Sequence, residues 1–365
     1  MTDRYTYIRP PESLKPIEPG LKWDAGMIDY SKHPAYSDFV SGSGLFFRIS
    51  TLATFLANFS LLLVKRVIHY EVIPYENRAP RSLGERIGFL FSGLKNIFSG
   101  SKPVAKQEPK NPVTEELRSK GIAAVLIPAG RFQEAKAMAE SHFEKLAQRR
   151  GKKESRREFD ESRSTVDPRD SAEFVGLINK VLEEGGVLDA ASRYVGRELH
   201  LVDVNPQIND PSDTFWTDIF PDRKNDKLPR TAYYHRDASG GDIKAIIYFS
   251  DVGPKNGPFA YATGSNRMQI SRLDDLLREA NDHNGLSSTS PQARKRFSAL
   301  PAKLRQKGAF GNDQPDDSLL TRAIASAEWE VTAPAGSIVL FDTKGIHRGG
   351  MVEQGERRVI TCVLG

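Results

Sequence analysis

In the stretch YYHRDASGGDIKAIIYFSDV, which begins at Tyr233, a histidine and an aspartate, His235 and Asp237, stand two residues apart. In extended backbone, residues i and i+2 face the same side, so an imidazole and a carboxylate can converge on one point. A third donor is offered by His347, which follows a strand-like run and a turn-prone Lys-Gly in GSIVLFDTKGIHRGG. The other histidines are placed less well. His33 and His69 lie in the N-terminal third, His142 sits on a helix surface, His200 sits at the start of a predicted strand, and His283 falls in a polar region. Two histidines and one carboxylate occupy one face of an iron(II) centre and leave three positions open, which suits a chelating ligand plus dioxygen. Zinc sites with these donors exist, although the set suits zinc less naturally.

A chelating keto acid also needs a cation for its far carboxylate, and EQGERRVITCVLG supplies Arg357 and Arg358 ten and eleven residues beyond His347. The planar guanidinium fork holds a carboxylate through two hydrogen bonds and does not lose its charge. Strand alternation allows only one of the pair to face inward. If Cys362 faces outward, so do Arg358 and Ile360, which leaves Arg357, Val359 and Thr361 inside. Arg357 is therefore favoured as the anchor, with Thr361 as a hydroxyl partner and Arg358 as the alternative. Lys244 shares strand parity with Ile246 and Tyr248, and Tyr233 shares a face with His235. Both are candidates to line the site, although a solvent-facing lysine and a core tyrosine explain them as well. Asn205, Gln207 and Asn209 alternate on VNPQIND and present amides, as would an ordinary polar loop. Arg236 is expected to point away.

These side chains must be positioned by short β-rich pieces separated by Gly, Pro and Asn, a pattern that indicates a sandwich or barrel. The predicted strands are 200–204, 231–235, 243–249, 259–262, 328–333, 337–341 and 357–364. Ahead of them, TEELRSKGIAAVLIPAG reads as a helix then a strand, RFQEAKAMAESHFEKLAQRR as an amphipathic helix, and 172–184 as another helix. The mixed-charge run from Gln148 to Asp170 reads as a solvated loop. Residues 267–327 read as a helical insertion, a candidate lid over the substrate. Near the N-terminus, Leu45, Ile49, Leu52, Leu56, Phe59 and Leu63 recur at helical steps opposite Arg48, Thr51, Thr54 and Asn58. Leu83, Ile87, Leu90, Leu94 and Ile97 repeat the pattern. With basic residues nearby, residues 44–102 are a candidate for peripheral contact with a membrane, the alternative being helices packed on the domain. The uncharged stretch 49–64 is short for a spanning helix. Residues 99–113, rich in Ser, Lys and Pro, read as a linker. The expected organisation is an N-terminal extension, 1–112, and a catalytic domain, 113–365.

The chain of 365 residues carries 52 Lys and Arg against 47 Asp and Glu. Residues 1–112 hold 15 and 10 of these, which leaves 37 of each in the remainder. A neutral C-terminal two thirds argues against a nucleic-acid groove there. One cysteine, Cys362, excludes an intrachain disulfide and a Cys-rich zinc site, and points to a reducing compartment. The expected location is cytoplasmic, including the cytoplasmic face of a membrane. The first forty residues do not resemble a secretory signal.

The order His235-x-Asp237, then PKNGPFAYATGSN from Pro254, then PAGSIVLFDTKGIHRGG, then QGERRVITC resembles the phytanoyl-CoA dioxygenase family of iron(II) and 2-oxoglutarate-dependent oxygenases. The likeness covers roughly residues 113–365, with Thr263 where the family usually has Pro and Asn266 where it usually has His. It implies a mainly β, α+β fold with flanking helices, built on a double-stranded β-helix of the jelly-roll or cupin kind. It also implies His235, Asp237 and His347 as iron ligands and Arg357 as the 2-oxoglutarate anchor, with dioxygen as cosubstrate. Halogenating relatives replace the carboxylate ligand by a small residue, so Asp237 implies oxygen insertion. The expected function is hydroxylation of a small or lipid-linked metabolite with release of succinate and CO2. The rival is a catalytically silent cupin-like binding protein docked to a membrane or partner, and a metal-dependent isomerase or hydrolase is a third reading.

Overall fold

The computed structural model describes residues 5–19, 21, 44–68, 111–152, 162–167, 171–211, 231, 233–237, 243–268, 280, 296–308 and 316–365. The second amphipathic stretch, 83–97, and nearly all of the expected linker lie outside these residues. The strands are β1 (Thr6–Ile8), β2 (Ile122–Leu126), β3 (Leu201–Asn209), β4 (Ile243–Tyr248), β5 (Phe259–Ala262), β6 (Glu328–Val331), β7 (Ser337–Asp342), β8 (His347–Arg348) and β9 (Arg357–Leu364). The α-helices are α1 (Leu45–Ile68), α2 (Pro112–Lys120), α3 (Ala129–Lys152), α4 (Ala172–Glu184), α5 (Val187–Val195), α6 (Ala302–Gly308) and α7 (Leu319–Ala327).

Two antiparallel sheets face one another, one of six strands in the order β1-β2-β7-β4-β9-β3 and one of three in the order β6-β5-β8. Alternation sorts the side chains of the larger sheet. Ala245, Ile247, Ile338, Leu340, Ile360 and Cys362 point to one face, against helices that contribute Leu117, Phe143, Ile178 and Leu182. Ile246, Tyr248, Val339, Phe341 and Val359 point to the other, where Phe259, Tyr261, Trp329 and Val331 of the smaller sheet meet them. Strands covered on both faces read as apolar runs, and β7 is buried at every position. This is the layered sandwich of a double-stranded β-helix with helices on one side.

α2 starts where Asn111 accepts hydrogen bonds from the backbone N–H groups of Val113 and Thr114, and it stops at Gly121, which adopts φ 78°. Its stop delivers the chain directly into β2.

Three sequence expectations are corrected. The division at residue 112 does not hold for the first residues: β1 pairs with β2 as the edge of the larger sheet, and buried Ile17 donates its N–H to Thr263. Residues 231–235 do not form a strand. Tyr233 has φ 63°, a left-handed value that breaks a regular ladder. The mixed-charge run is not all loop either, because α3 extends to Lys152 and Ser162–Val166 runs alongside β3 through three backbone hydrogen bonds of 2.8–3.1 Å. Period-2 and period-3.6 patterns are blind to such pairing when the segment itself is polar.

Much of the insertion expected to form a lid, 269–279, 281–295 and 309–315, lies outside the described residues. Leu320, Ile324 and Ala327 of α7 pack with Ala260 and Ala262 on the outer side of β5, and no described residue of 269–327 lines the cavity between the sheets.

Candidate metal centre and anion pocket

A cavity of about 240 Å³ opens between the two sheets, and its lining includes Arg163, Tyr233, His235, Asp237, His347 and Arg357. The two histidines, 112 residues apart, are brought together by backbone pairing: each donates its N–H to the other's carbonyl at 2.9 Å. Asp237 donates its N–H to Thr343 at 3.1 Å, which continues the pairing. Although 233–237 is not a regular strand, its side chains alternate. Tyr233, His235 and Asp237 enter the cavity, while Tyr234 donates its hydroxyl hydrogen to Glu328 and Arg236 donates to the Lys344 carbonyl outside it.

Donor atoms of His235, Asp237 and His347 all lie within 4.8 Å of one another. His235 Nε2 is 3.7 Å from Asp237 Oδ1, and His347 Nε2 is 3.5 Å from Asp237 Oδ2. The far ring nitrogens are occupied, His235 Nδ1 by the Tyr233 carbonyl at 3.0 Å and His347 Nδ1 by the Gly345 carbonyl at 2.9 Å. Those contacts assign the protons to Nδ1 and aim both Nε2 lone pairs at the carboxylate. This donor set fits a divalent first-row metal. Burial, reinforced by the neighbouring His347, pushes the His235 imidazole down to about 4. Burial pushes the Asp237 carboxyl up, but His347, Lys244 and His235 together outweigh it and hold it well below the usual carboxylate range. At neutral pH His235 is therefore neutral and Asp237 ionised, as metal binding requires.

The His235 shift carries a stability consequence for the metal-free protein. The unfolded imidazole titrates near its ordinary 6.5 and the folded one near 4, so between these values the unfolded chain binds more protons. Stability is expected to fall as pH is lowered through that window, with the Asp237 contribution lost only at still lower pH. Urea unfolding of metal-free protein at pH 7 and pH 5 checks this, and His235→Asn should flatten the difference.

Lys244 is part of the site, with Nζ 2.8 Å from Asp237 Oδ2. On β9 the alternation turns Arg357, Val359 and Thr361 into the cavity and Ile360 and Cys362 into the helix-side core. Arg358 turns away, bound to Glu140 at 2.7 Å and Glu356 at 2.5 Å. Arg357 is 8% exposed, and its Nη2 donates to Asn209 Oδ1 at 2.9 Å. Its Nε is buried with no hydrogen-bond partner, and among the described residues no carboxylate pairs with it. An uncompensated buried guanidinium calls for an anion. Thr361 Oγ1 accepts from Gln207 Nε2 at 3.1 Å, so Gln207 and Asn209 both reach the anion pocket, whereas Asn205 accepts from Thr165 outside it. Cys362 is fully buried, which pushes its thiol up and leaves it protonated.

Sequence reasoning missed Arg163, which reaches the cavity from the segment beside β3, and the aromatic wall of Phe259 and Phe341, whose rings lie 5.7 and 4.9 Å from that of His347. The parity of their strands contained the signal for the two rings.

The turns around Ser265 and Gly345 hold the ligands rather than touch them. Ser265 Oγ accepts from the Ile346 N–H at 2.7 Å, and Asn266 donates to the Tyr194 hydroxyl, which in turn donates to Asp342 at 2.6 Å. Tyr261 donates to the Asp342 carbonyl at 3.1 Å. A Cβ at Gly345 would fall 1.7 Å from the Tyr261 hydroxyl. Gly345→Ala is expected to destabilise the protein by about 2 kcal/mol through this overlap and to weaken metal binding by moving His347. Denaturant unfolding and metal titration of the same variant check both.

No protein-family model and no curated protein matches the chain. Solved structures with a similar fold include the α-ketoglutarate-dependent carbocyclase SnoK from nogalamycin biosynthesis, at 15% identity and TM-score 0.40, covering 72% of this chain and 87% of that one. EctD from S. alaskensis aligns at 13% identity and TM-score 0.44, covering 72% and 81%. HygX from Streptomyces hygroscopicus, with nickel and 2-oxoglutarate bound, aligns at 13% identity and TM-score 0.38, covering 71% and 87%. Identities and TM-scores this low leave the site's own geometry to carry its chemistry.

Proposed function

We propose that the protein is an iron(II) and 2-oxoglutarate-dependent oxygenase of the phytanoyl-CoA dioxygenase type, hydroxylating a small or lipid-linked metabolite. The observation that carries this reading is the pairing, in one cavity, of a two-histidine, one-carboxylate cluster with a buried guanidinium that pairs with no carboxylate among the described residues. His235, Asp237 and His347 would hold the metal on one face. Bound iron(II) supplies the redox chemistry by which dioxygen converts 2-oxoglutarate to succinate and CO2 and a substrate C–H bond to C–OH.

The chain's own residues position and exclude. Arg357 receives the distal carboxylate of 2-oxoglutarate in a site where Thr361 and Gln207 offer hydrogen bonds. Phe259 and Phe341 keep water from the His347 side. Lys244 holds the Asp237 carboxylate in place through its ion pair. Asp237 fills the position that a halogenating relative leaves open, so hydroxylation is the expected outcome. Arg163 and Tyr233 stand in the same lining.

Succinate release under air tests the reading. The enzyme should form succinate only with iron(II), 2-oxoglutarate and dioxygen together, and faster when a true substrate is added. Turnover that needs neither dioxygen nor 2-oxoglutarate would point to a metal-dependent isomerase or hydrolase, and binding without turnover to a silent cupin-like protein.

A further inference from the structure

Seven large hydrophobic side chains stand exposed among the described residues, and six of them belong to α1: Leu45, Phe46, Ile49, Leu56, Leu61 and Leu63, between 38% and 85% exposed. Leu45, Ile49, Leu56 and Leu63 belong to the stripe that the sequence pattern marks as the face to bury, yet the structure buries a different one. Thr51, Phe55 and Leu62 are 4%, 1% and 5% exposed. On a helix advancing about 100° per residue, Leu45, Ile49, Leu56 and Leu63 fall within about 40° of one another, roughly 120° from the buried stripe. So much contiguous apolar surface on one helix marks an interaction site.

We infer that α1 is a lipid-surface anchor whose exposed face enters the hydrocarbon boundary of an anionic membrane. Charge selects this occupant. The helix sequence has no Asp or Glu and carries Arg48, Lys65 and Arg66, and the chain's whole positive excess lies within residues 1–112. Apolar side chains beside basic ones match a layer of negative headgroups above acyl chains. By length and composition Leu45–Leu63 could also cross a bilayer, and 24 residues span about 36 Å. A crossing helix, however, turns every side to lipid or to another spanning helix, whereas α1 commits Thr51, Phe55 and Leu62 to burial within the chain. It therefore lies in the plane of the membrane. This inference does not rest on the oxygenase reading.

Flotation of the full-length protein with vesicles of phosphatidylglycerol and phosphatidylcholine tests it. The wild-type chain should float, with at least tenfold less recovered on pure phosphatidylcholine and at least tenfold less for a Leu45→Ser, Ile49→Ser, Leu56→Ser triple variant. Should that variant misfold, Phe46→Trp in an otherwise native chain gives a second readout: brominated acyl chains should quench its added fluorescence well beyond that of the native tryptophans. Equal flotation of wild type and triple variant, equal flotation on the two lipid compositions, or no flotation would overturn the inference. So would a wild-type dimer that the triple variant converts to monomer without any vesicle binding, since the face would then belong to a second copy of the chain.

Discussion

His347→Ala is expected to abolish stoichiometric iron(II) binding and to lower 2-oxoglutarate turnover by at least about a thousandfold, because losing one of three ligands costs more than the ten- to hundredfold typical of their outer partners. His347 is 4% exposed and in contact with the Phe341 ring, so the truncation also leaves a small void. Asp237→Ala separates the two effects. It removes a ligand without opening an aromatic cluster and should be equally inactive. Iron content after desalting and succinate formation measure both variants, and near-UV circular dichroism reports whether the core survives.

Arg357→Met should raise the KM for 2-oxoglutarate about a hundredfold, the equivalent of about 3 kcal/mol for a lost charge-assisted pair. It should leave kcat at saturating cosubstrate within a few-fold of wild type. The sign of its stability effect is opposite to that of most buried substitutions. Burial pushes the Arg357 guanidinium down from its ordinary range and its Nε is unpaired, so a methionine of similar reach relieves a desolvated charge. The metal-free variant is expected to be at least as stable as wild type by urea unfolding. Arg358→Met, which only breaks the ion pairs to Glu140 and Glu356, should change neither KM nor kcat. A KM raised equally by both substitutions would remove Arg357 from its assigned place.

What was legible in the sequence was what alternation encodes. The inward set Arg357, Val359 and Thr361 follows from period 2 once one neighbour is known to face out, β5 begins and ends where its apolar run does, and β9 spans the expected 357–364. Alternation also placed His235 and Asp237 together for a reason that is only half correct: the side chains alternate, but the backbone turns at Tyr233 instead of running as a strand. What escaped were pairings made by polar or isolated pieces. β1 is three residues long, the Ser162–Val166 segment has almost no apolar signal, and Arg163 reaches the cavity only through its neighbours' hydrogen bonds to β3. The Lys244–Asp237 ion pair joins two residues whose parity on separate segments leaves their separation open. In α1 the apolar stripe was visible, but a stripe states only that a surface must be covered. Among the described residues that face of α1 stands exposed.

Anaerobic titration of the metal-free protein with iron(II) in the presence of 2-oxoglutarate bears most directly on a keto acid held between the metal cluster and Arg357. A visible charge-transfer absorption should grow to saturation at one iron per chain, vanish in His347→Ala, and need about a hundredfold more 2-oxoglutarate in Arg357→Met. Iron bound at full stoichiometry with no visible band, or a band that survives unchanged in His347→Ala, would contradict it.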